Sequence, residues 1–294
     1  MFGLTASTTT MDEFRNADVI MVVNAELTEN NLVAELKIKE AMKKGARLIS
    51  VNSSENPLSR IADLWLDPRR GTNTSLLAGL ANALIEKGHV DRDFIARRTD
   101  RFEEFRASIA GMDARETVAR TGIQEDRFIR AVDMLARAAN IVIVYGMDQC
   151  LEKSRDDVKA LGDLALLLGK TGQPGNGLVL VRDYANSQGL LDMGVDSRYL
   201  PGLVRAGQPA VDRLGAMWGV PLQRIFQPLD LAAKLKKGEI KAVLVFGEDP
   251  LVSAQAGKLL AKVKFKLVVD FFLTATAVEG DWTFDTPVKV VGDA

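Results

Sequence analysis

Short, largely apolar runs recur along this chain and leave few folds open to it. They are DVIMVV at Asp18–Val23, RLISV at Arg47–Val51, NIVIVY at Asn140–Tyr145, AVLVF at Ala242–Phe246 and LVVD at Leu267–Asp270. They are rich in Val and Ile and lack the in–out alternation of a strand with one wet face. Such runs fit strands buried on both sides, as in parallel sheets. Helical spacing fills the gaps. Leu32, Val33, Leu36, Ala41 and Met42 mark a helix over Leu32–Lys44 that Gly45 stops. Strand, helix and strand between Asp18 and Val51 form a βαβ unit. Further helices are expected over Asn73–Lys87, near Phe94, and over Phe102–Ile109, Glu125–Arg137, Ser154–Leu168 and Ser253–Val263. A short strand is expected at Leu178–Val181 and an edge strand at Val288–Val291. Arg182–Gly219 has no clean period and reads as a long loop with small helical pieces. This alternation predicts an α/β fold with mostly parallel sheets.

At 294 residues the chain suits roughly two domains of ~150 residues each. A net charge of −1 gives no general pull toward nucleic acid or an anionic membrane. The single cysteine, Cys150, excludes an internal disulfide and suits a reducing compartment. No apolar run reaches the ~18 residues of a membrane span. The first residues, MFGLTASTTTMDEF, lack the basic and apolar regions of a secretory signal. The expectation is a cytoplasmic protein with no nucleic-acid partner and no membrane insertion.

Catalytic constellations are missing. The one histidine, His89, sits beside a helix stop and reads as a solvated surface residue. CxxC, HExxH and GxSxG patterns are absent, and no GxGxxG follows the first strand. Gly169-Lys170-Thr171 is not a phosphate loop, because that motif needs a glycine where Leu164 stands and must open a helix. No catalytic or metal-ligating residue is therefore expected. What remains is a series of polar turns after strands: Asn24–Glu29, Asn52–Ser54, Gly71–Asn73, Gly146–Asp148, Asn186–Gly189 and Gly247–Pro250. In parallel sheets ligands sit beyond such carboxyl ends. The stretch Asn56–Gly88 adds a Pro-Arg-Arg-Gly turn ahead of a helix that starts at Thr72-Asn73. Unpaired N–H groups and the helix dipole there, with Arg69 and Arg70 close by, suggest an anion site.

These motifs together resemble the molybdopterin oxidoreductases, in particular formate dehydrogenase alpha subunits and the related large subunit of respiratory complex I. The resemblance rests on NADVIMVV at 16–23, NPLSRIADLWLDPRRGTNTSLLAGLANALIEKG at 56–88 and GKTGQPGNG at 169–177. It continues through NSQG with DMG at 186–194, GEDP at 247–250 and VVDFFLTATA at 268–277. The family implies two Rossmann-like α/β domains, here 1–139 and 140–294, each taking one guanine dinucleotide of a bis(molybdopterin guanine dinucleotide) cofactor. That arrangement would explain why ADVIMVV-NAEL and KAVLVF-GEDP share one pattern. The implied cofactor-binding residues are Glu29, Asn52, Gly71, Thr72, Asn73, Gly146, Met147, Asn186, Gln188, Gly247, Glu248 and Pro250. The family's iron–sulfur cysteines, metal-ligating residue and C-terminal β-rich domain have no counterpart in this chain. The resemblance therefore implies partner segments or subunits of an oxidoreductase complex, and little activity for this chain alone. In the family the second domain also draws part of its sheet from the N-terminal region, which here would leave an edge exposed.

Several turns depart from the family pattern. Asn52 and Asn73 stand where an acid is usual, and Asp148 stands where glycine is common. A carboxylate accepts both N–H donors of a guanine edge, whereas an amide offers one oxygen. On this view Asn73→Asp is expected to strengthen guanine nucleotide binding. The residues leave a second reading open, a non-catalytic structural module that kept the fold and lost the cofactor.

Overall fold

The computed structural model describes residues 6–146, 151–182, 186–195, 198–222 and 231–285, with only the backbone for 151–155 and 284–285. It divides into two units, Met1–Leu191 and Asp192–Ala294.

The first unit is built on a parallel sheet. Its strands are β1 (Val19–Val23), β2 (Arg47–Val51), β3 (Leu64–Leu66), β4 (Ile141–Gly146) and β5 (Gly177–Val181), in the order β3-β2-β1-β4-β5. Every residue of β1 and β4 is buried, as expected for strands covered on both faces. The alternating side chains point into two separate cores. Val19, Met21 and Val23 of β1 join Ile141, Ile143 and Tyr145 of β4 on one face. Ile20 and Val22 join Val142 and Val144 on the other.

Helices line both faces. The second core receives Phe14 of a short 3-10 helix (Met11–Asn16), Leu27 of α1 (Leu27–Asn30), Ile38 of α2 (Leu32–Lys43) and Leu58 of α3 (Pro57–Ile61). The first core receives α4 (Asn73–Glu86), α5 (Arg92–Arg98), α6 (Phe102–Ile109), α8 (Glu125–Arg137) and α9 (Leu151–Leu167), while α7 (Ala114–Thr121) packs on α4. The edge strand β5 does not stay open. Thr8 N–H donates to Leu178 O at 2.8 Å, and Leu178 and Leu180 N–H donate to the hydroxyls of Thr8 and Ser7. This short segment blunts an edge that would otherwise invite pairing.

The expected boundary at 139/140 is corrected. The strand that begins at Ile141 is not the start of a second domain. It pairs in parallel with β1, Val19 opposite Ile141 and Val23 opposite Tyr145, inside the same sheet. The chain instead divides within α10 (Ser187–Asp192). The strand expected at Leu178–Val181 is present as β5. Strand β3 and helix α7 were not expected, and the expected strand at 288–291 lies outside the described residues.

The second unit carries a two-residue antiparallel pair, β6 (Tyr199–Leu200) and β7 (Val204–Arg205). Helix α11 (Gln208–Trp218) follows, so the supposed long loop holds an 11-residue helix. A parallel sheet of β8 (Ala242–Phe246), β9 (Phe265–Asp270) and β10 (Trp282–Asp285) runs in the order β10-β9-β8. Helices α12 (Leu231–Lys236) and α13 (Ala254–Leu260) share a small core around Leu235, Leu260 and Val263. Helix α14 (Ala275–Val278) lies against β9. Leu244 and Phe246 of β8 are 63% and 62% exposed, so one face of this sheet is bare.

The mixed α/β fold with parallel sheets agrees with the sequence reading. A close contact in its packing gives a test. Gly79 lies within α4, and an added Cβ would sit 2.0 Å from Thr117 Oγ1 of α7. Thr117 is fully buried and bonded to Asp113 O, so it cannot swing aside. Alanine normally stabilises a helix interior relative to glycine. Here Gly79→Ala is expected to destabilise by about 1–3 kcal/mol through overpacking, read as a fall in the urea midpoint.

Candidate functional site

Candidate ligand turns lie at the carboxyl ends of both parallel sheets. In the first unit β1 ends at Asn24, whose backbone adopts φ +50°. Its N–H donates to Val51 O at 2.9 Å, and its side-chain amide donates to Gly146 O at 3.3 Å. The turn therefore presses onto the end of β4. A Cβ on Gly146 would lie 2.0 Å from Asn24 O, so only glycine fits there. Asn52 caps β2. Its N–H donates to Leu66 O at 3.1 Å, and its carbonyl accepts from Trp65 Nε1 at 2.9 Å. Glu29 is exposed on α1.

At the start of α4, Gly71 takes φ +79° and Thr72 Oγ1 donates back to Arg69 O at 2.6 Å. The anion site expected here is not what the side chains form. Arg69 turns away, with Nη1 donating to Ala119 O at 2.9 Å and N–H donating to Thr121 O at 2.8 Å. It thus satisfies the open carbonyls at the carboxyl end of α7, where a cation is favoured. Arg70 is exposed and makes no ion pair among the described residues.

Asn73, the first residue of α4, donates through Nδ2 to Asp157 Oδ2 at 3.2 Å. Thr74 Oγ1 donates to Asp157 Oδ1 at 2.6 Å, and Tyr145 O–H donates to Oδ2 at 3.3 Å. Asp157, on α9, is only 8% exposed. A negative charge beside the first turn of a helix is stabilised by the dipole. The chain has thus placed its own anion where an anionic ligand group was expected. An aspartate at position 73 would set two carboxylates against each other about 3.2 Å apart.

Asp157 was missed by the sequence reading, although a signal was present. It lies four and seven residues before Leu161 and Leu164, which are fully buried, and so falls in the apolar stripe of α9. Asn186 is exposed and accepts the N–H of Leu190 through its carbonyl at 3.0 Å, with Gln188 in the helix that follows. Met147, Asp148 and Cys150 lie outside the described residues.

In the second unit Gly247 takes φ +60° at the end of β8 and donates to Val269 O at 2.8 Å. Glu248 is exposed, and Pro250 opens a 3-10 turn over Pro250–Val252. Between them Asp249, also missed, does the structural work of the turn. Its carboxylate accepts from Thr276 Oγ1 at 2.6 Å, Thr276 N at 3.0 Å and Ala275 N at 3.3 Å. The Thr276 hydroxyl bond, with backbone N–H groups, holds its pKa below the ordinary carboxylate value.

Other polar features lie away from these turns. A cavity of about 470 Å³ opens at the amino-terminal ends of β1 and β2, lined by Asp18, Arg47, Arg130 and Arg137. Burial lowers the pKa of Lys170, whose Nζ donates to Ala139 O just ahead of β4, on that same side. His89 is exposed, as expected. Among the described residues no group of three or more His, Cys, Asp or Glu could hold a metal ion, and no helix is long and apolar enough to cross a membrane.

Both parallel sheets thus carry polar, glycine-bearing turns at their carboxyl ends, the side on which open parallel sheets bind ligands. A family model described as molybdopterin oxidoreductase matches residues 3–281, and the chain belongs to that family. Formate dehydrogenase H of Escherichia coli is 28% identical over 288 residues, which is 95% of this chain and 40% of that protein. The alpha subunit of F420-dependent formate dehydrogenase 2 of Methanococcus maripaludis is 29% identical over 291 residues, with 95% and 42% covered. The chain thus spans about two fifths of the length of these relatives. Among solved structures, acetylene hydratase from Pelobacter acetylenicus superposes with a TM-score of 0.65 at 19% identity, over 93% of this chain and 43% of that one, a likeness of fold.

The Asp249 network yields a pH test. A folded-state pKa below the unfolded value of about 3.9 adds stability above that pH, which is lost as pH falls through the folded value. Asp249→Ala is expected to melt lower at neutral pH. Its gap from the parent should close on acidification below about pH 4, as followed by circular dichroism.

Proposed function

We propose that this chain is the cofactor-holding portion of a formate dehydrogenase-like oxidoreductase, with one guanine dinucleotide of a bis(molybdopterin guanine dinucleotide) cofactor at the strand ends of each unit. The observation that carries this reading is the placement of Asn24, Asn52, Asn73 and Gly146 at the carboxyl ends of one parallel sheet, with Gly247, Glu248 and Pro250 at the end of another. The residues fit the base of such a ligand better than its phosphates. Half-buried amides suit a purine edge, whereas Arg69 is committed to α7 and Asp157 would repel an anion. The cofactor, when bound, supplies the redox chemistry, and the chain supplies binding and orientation. Electrons, substrate contacts and metal ligation are assigned to other segments of the same protein or to partner subunits in the cytoplasm.

The bare face of β8 supports that assignment. A parallel sheet normally buries both faces, yet Leu244, Phe246 and Trp282 are all more than 60% exposed. The intact native protein, isolated from its source, is expected to contain molybdenum or tungsten together with a pterin, detected by elemental analysis and by fluorescence of the oxidised pterin. A native protein free of both would leave the structural-module reading. For the chain by itself, GDP at 100 times its dissociation constant should add about 2.7 kcal/mol of stability, seen as a melting shift of several degrees.

A further inference from the structure

The end of the first sheet away from the polar turns holds a cavity that the proposed cofactor does not use. Its volume is about 470 Å³, within the range of small-molecule sites. Strands β1 and β2 reach it at Val19 and Arg47, which sit opposite each other in the parallel register. Gly45, at φ +107°, turns the chain toward β2 and leaves the lining there without a side chain. Helix α8 contributes Arg130, Asp133, Met134 and Arg137. Arg130 and Arg137 are seven residues apart, so two turns of helix set them on one side, about 10 Å apart along the axis. Val19, Met134 and Ala138 add apolar lining.

The carboxylates of the lining are already engaged. Asp18 accepts the N–H of Asn140 at 2.8 Å, and Asp133 pairs with Lys87 Nζ at 3.3 Å. The three arginines are exposed, and among the described residues none of them pairs with a carboxylate. Arg130 directs Nη2 to Asp63 O at 3.3 Å, which leaves most of its five donors open. The dipole of α8 accounts for Arg137, a cation in the last turn. It does not account for Arg47, the first residue of β2.

We propose that this cavity binds a small organic diacid, with one carboxylate held by Arg47 of β2 and the other by Arg130 and Arg137 of α8. Guanidinium forks match carboxylates in bidentate geometry. The apolar lining suits a carbon body between two anionic ends better than a compact inorganic anion. The site lies at the amino ends of the strands, opposite the turns of Asn24 and Gly146, so it stands whether or not the carboxyl ends take a guanine dinucleotide.

Calorimetry on the full chain tests this with straight-chain diacids from succinate to suberate, and with butyrate as the monoacid. The best diacid should bind about tenfold tighter than butyrate, the worth of a further charge-assisted hydrogen bond. Arg47→Gln and Arg137→Gln should each remove that advantage. Both side chains are exposed, so the melting temperature should not change. Asp133→Asn takes a negative charge from the lining and should tighten diacid binding about twofold. GDP added first should leave the diacid affinity as it was.

Diacids no tighter than butyrate, or an advantage that survives in both arginine variants, overturn the proposal. So does displacement of the diacid by GDP, which would place it at the carboxyl ends instead. Inorganic pyrophosphate that binds tighter than every diacid removes the role of the carbon body. A penta-glutamate peptide that binds where no free diacid does would assign the arginines to a protein partner.

Discussion

The parallel pairing of β4 with β1 carries the rest of the first unit. It joins segments 122 positions apart and is pinned at both ends. Asp18 accepts the N–H of Asn140 at 2.8 Å, and the Asn24 side chain reaches Gly146 O at 3.3 Å. Between these pins every side chain is buried. The pairing makes β1 a central strand and sends the chain to opposite faces after β1 and β4. Helices α1 and α2 join the core around Phe14, and α9 joins the core around Phe128. Divergence of that kind opens a crevice at the strand ends, which is where open parallel sheets bind their ligands.

Charge at these strand ends is handled by short polar side chains and not by ion pairs. Asp157 is held by an amide and two hydroxyls, and Asp249 by a hydroxyl and backbone N–H groups. Among the described residues the ion pairs lie elsewhere, several of them between exposed partners at helical spacing such as Lys44 with Glu40 and Arg120 with Glu116. Such pairs add little to stability. Neutral partners leave these carboxylates without a counter-cation, so the helix starts beside them become their counter-charge.

The strands were legible because burial on both faces leaves a run of Val and Ile with no alternation. Even β5, an edge strand, followed that rule. Strand β3 was hidden because Leu64–Leu66 is too short to show a period, and only pairing with β2 defines it. The domain boundary was misjudged for a related reason. A strand after a long helical stretch looks the same whether it opens a new sheet or returns to an old one, since its partner is set by topology. Arg69 shows the limit at the site. Its position ahead of α4 was plain, but its direction is decided by carbonyls of α7 fifty positions along the chain. Asp157 was readable, a lone acid in an apolar stripe; its donors Asn73 and Thr74 lie more than eighty positions away.

The bare face of β8 and β9 has a consequence for how the polypeptide must be made. Apolar side chains such as Leu244, Phe246, Phe271 and Phe272 stand in water on the second unit, an area of the kind that drives self-association. Its sheet is parallel, so it forms through crossovers that bring distant segments together slowly. While those crossovers close, the exposed face is open to other nascent chains. Yield of soluble protein should therefore depend less on the stability of either core than on how soon this face is covered after synthesis.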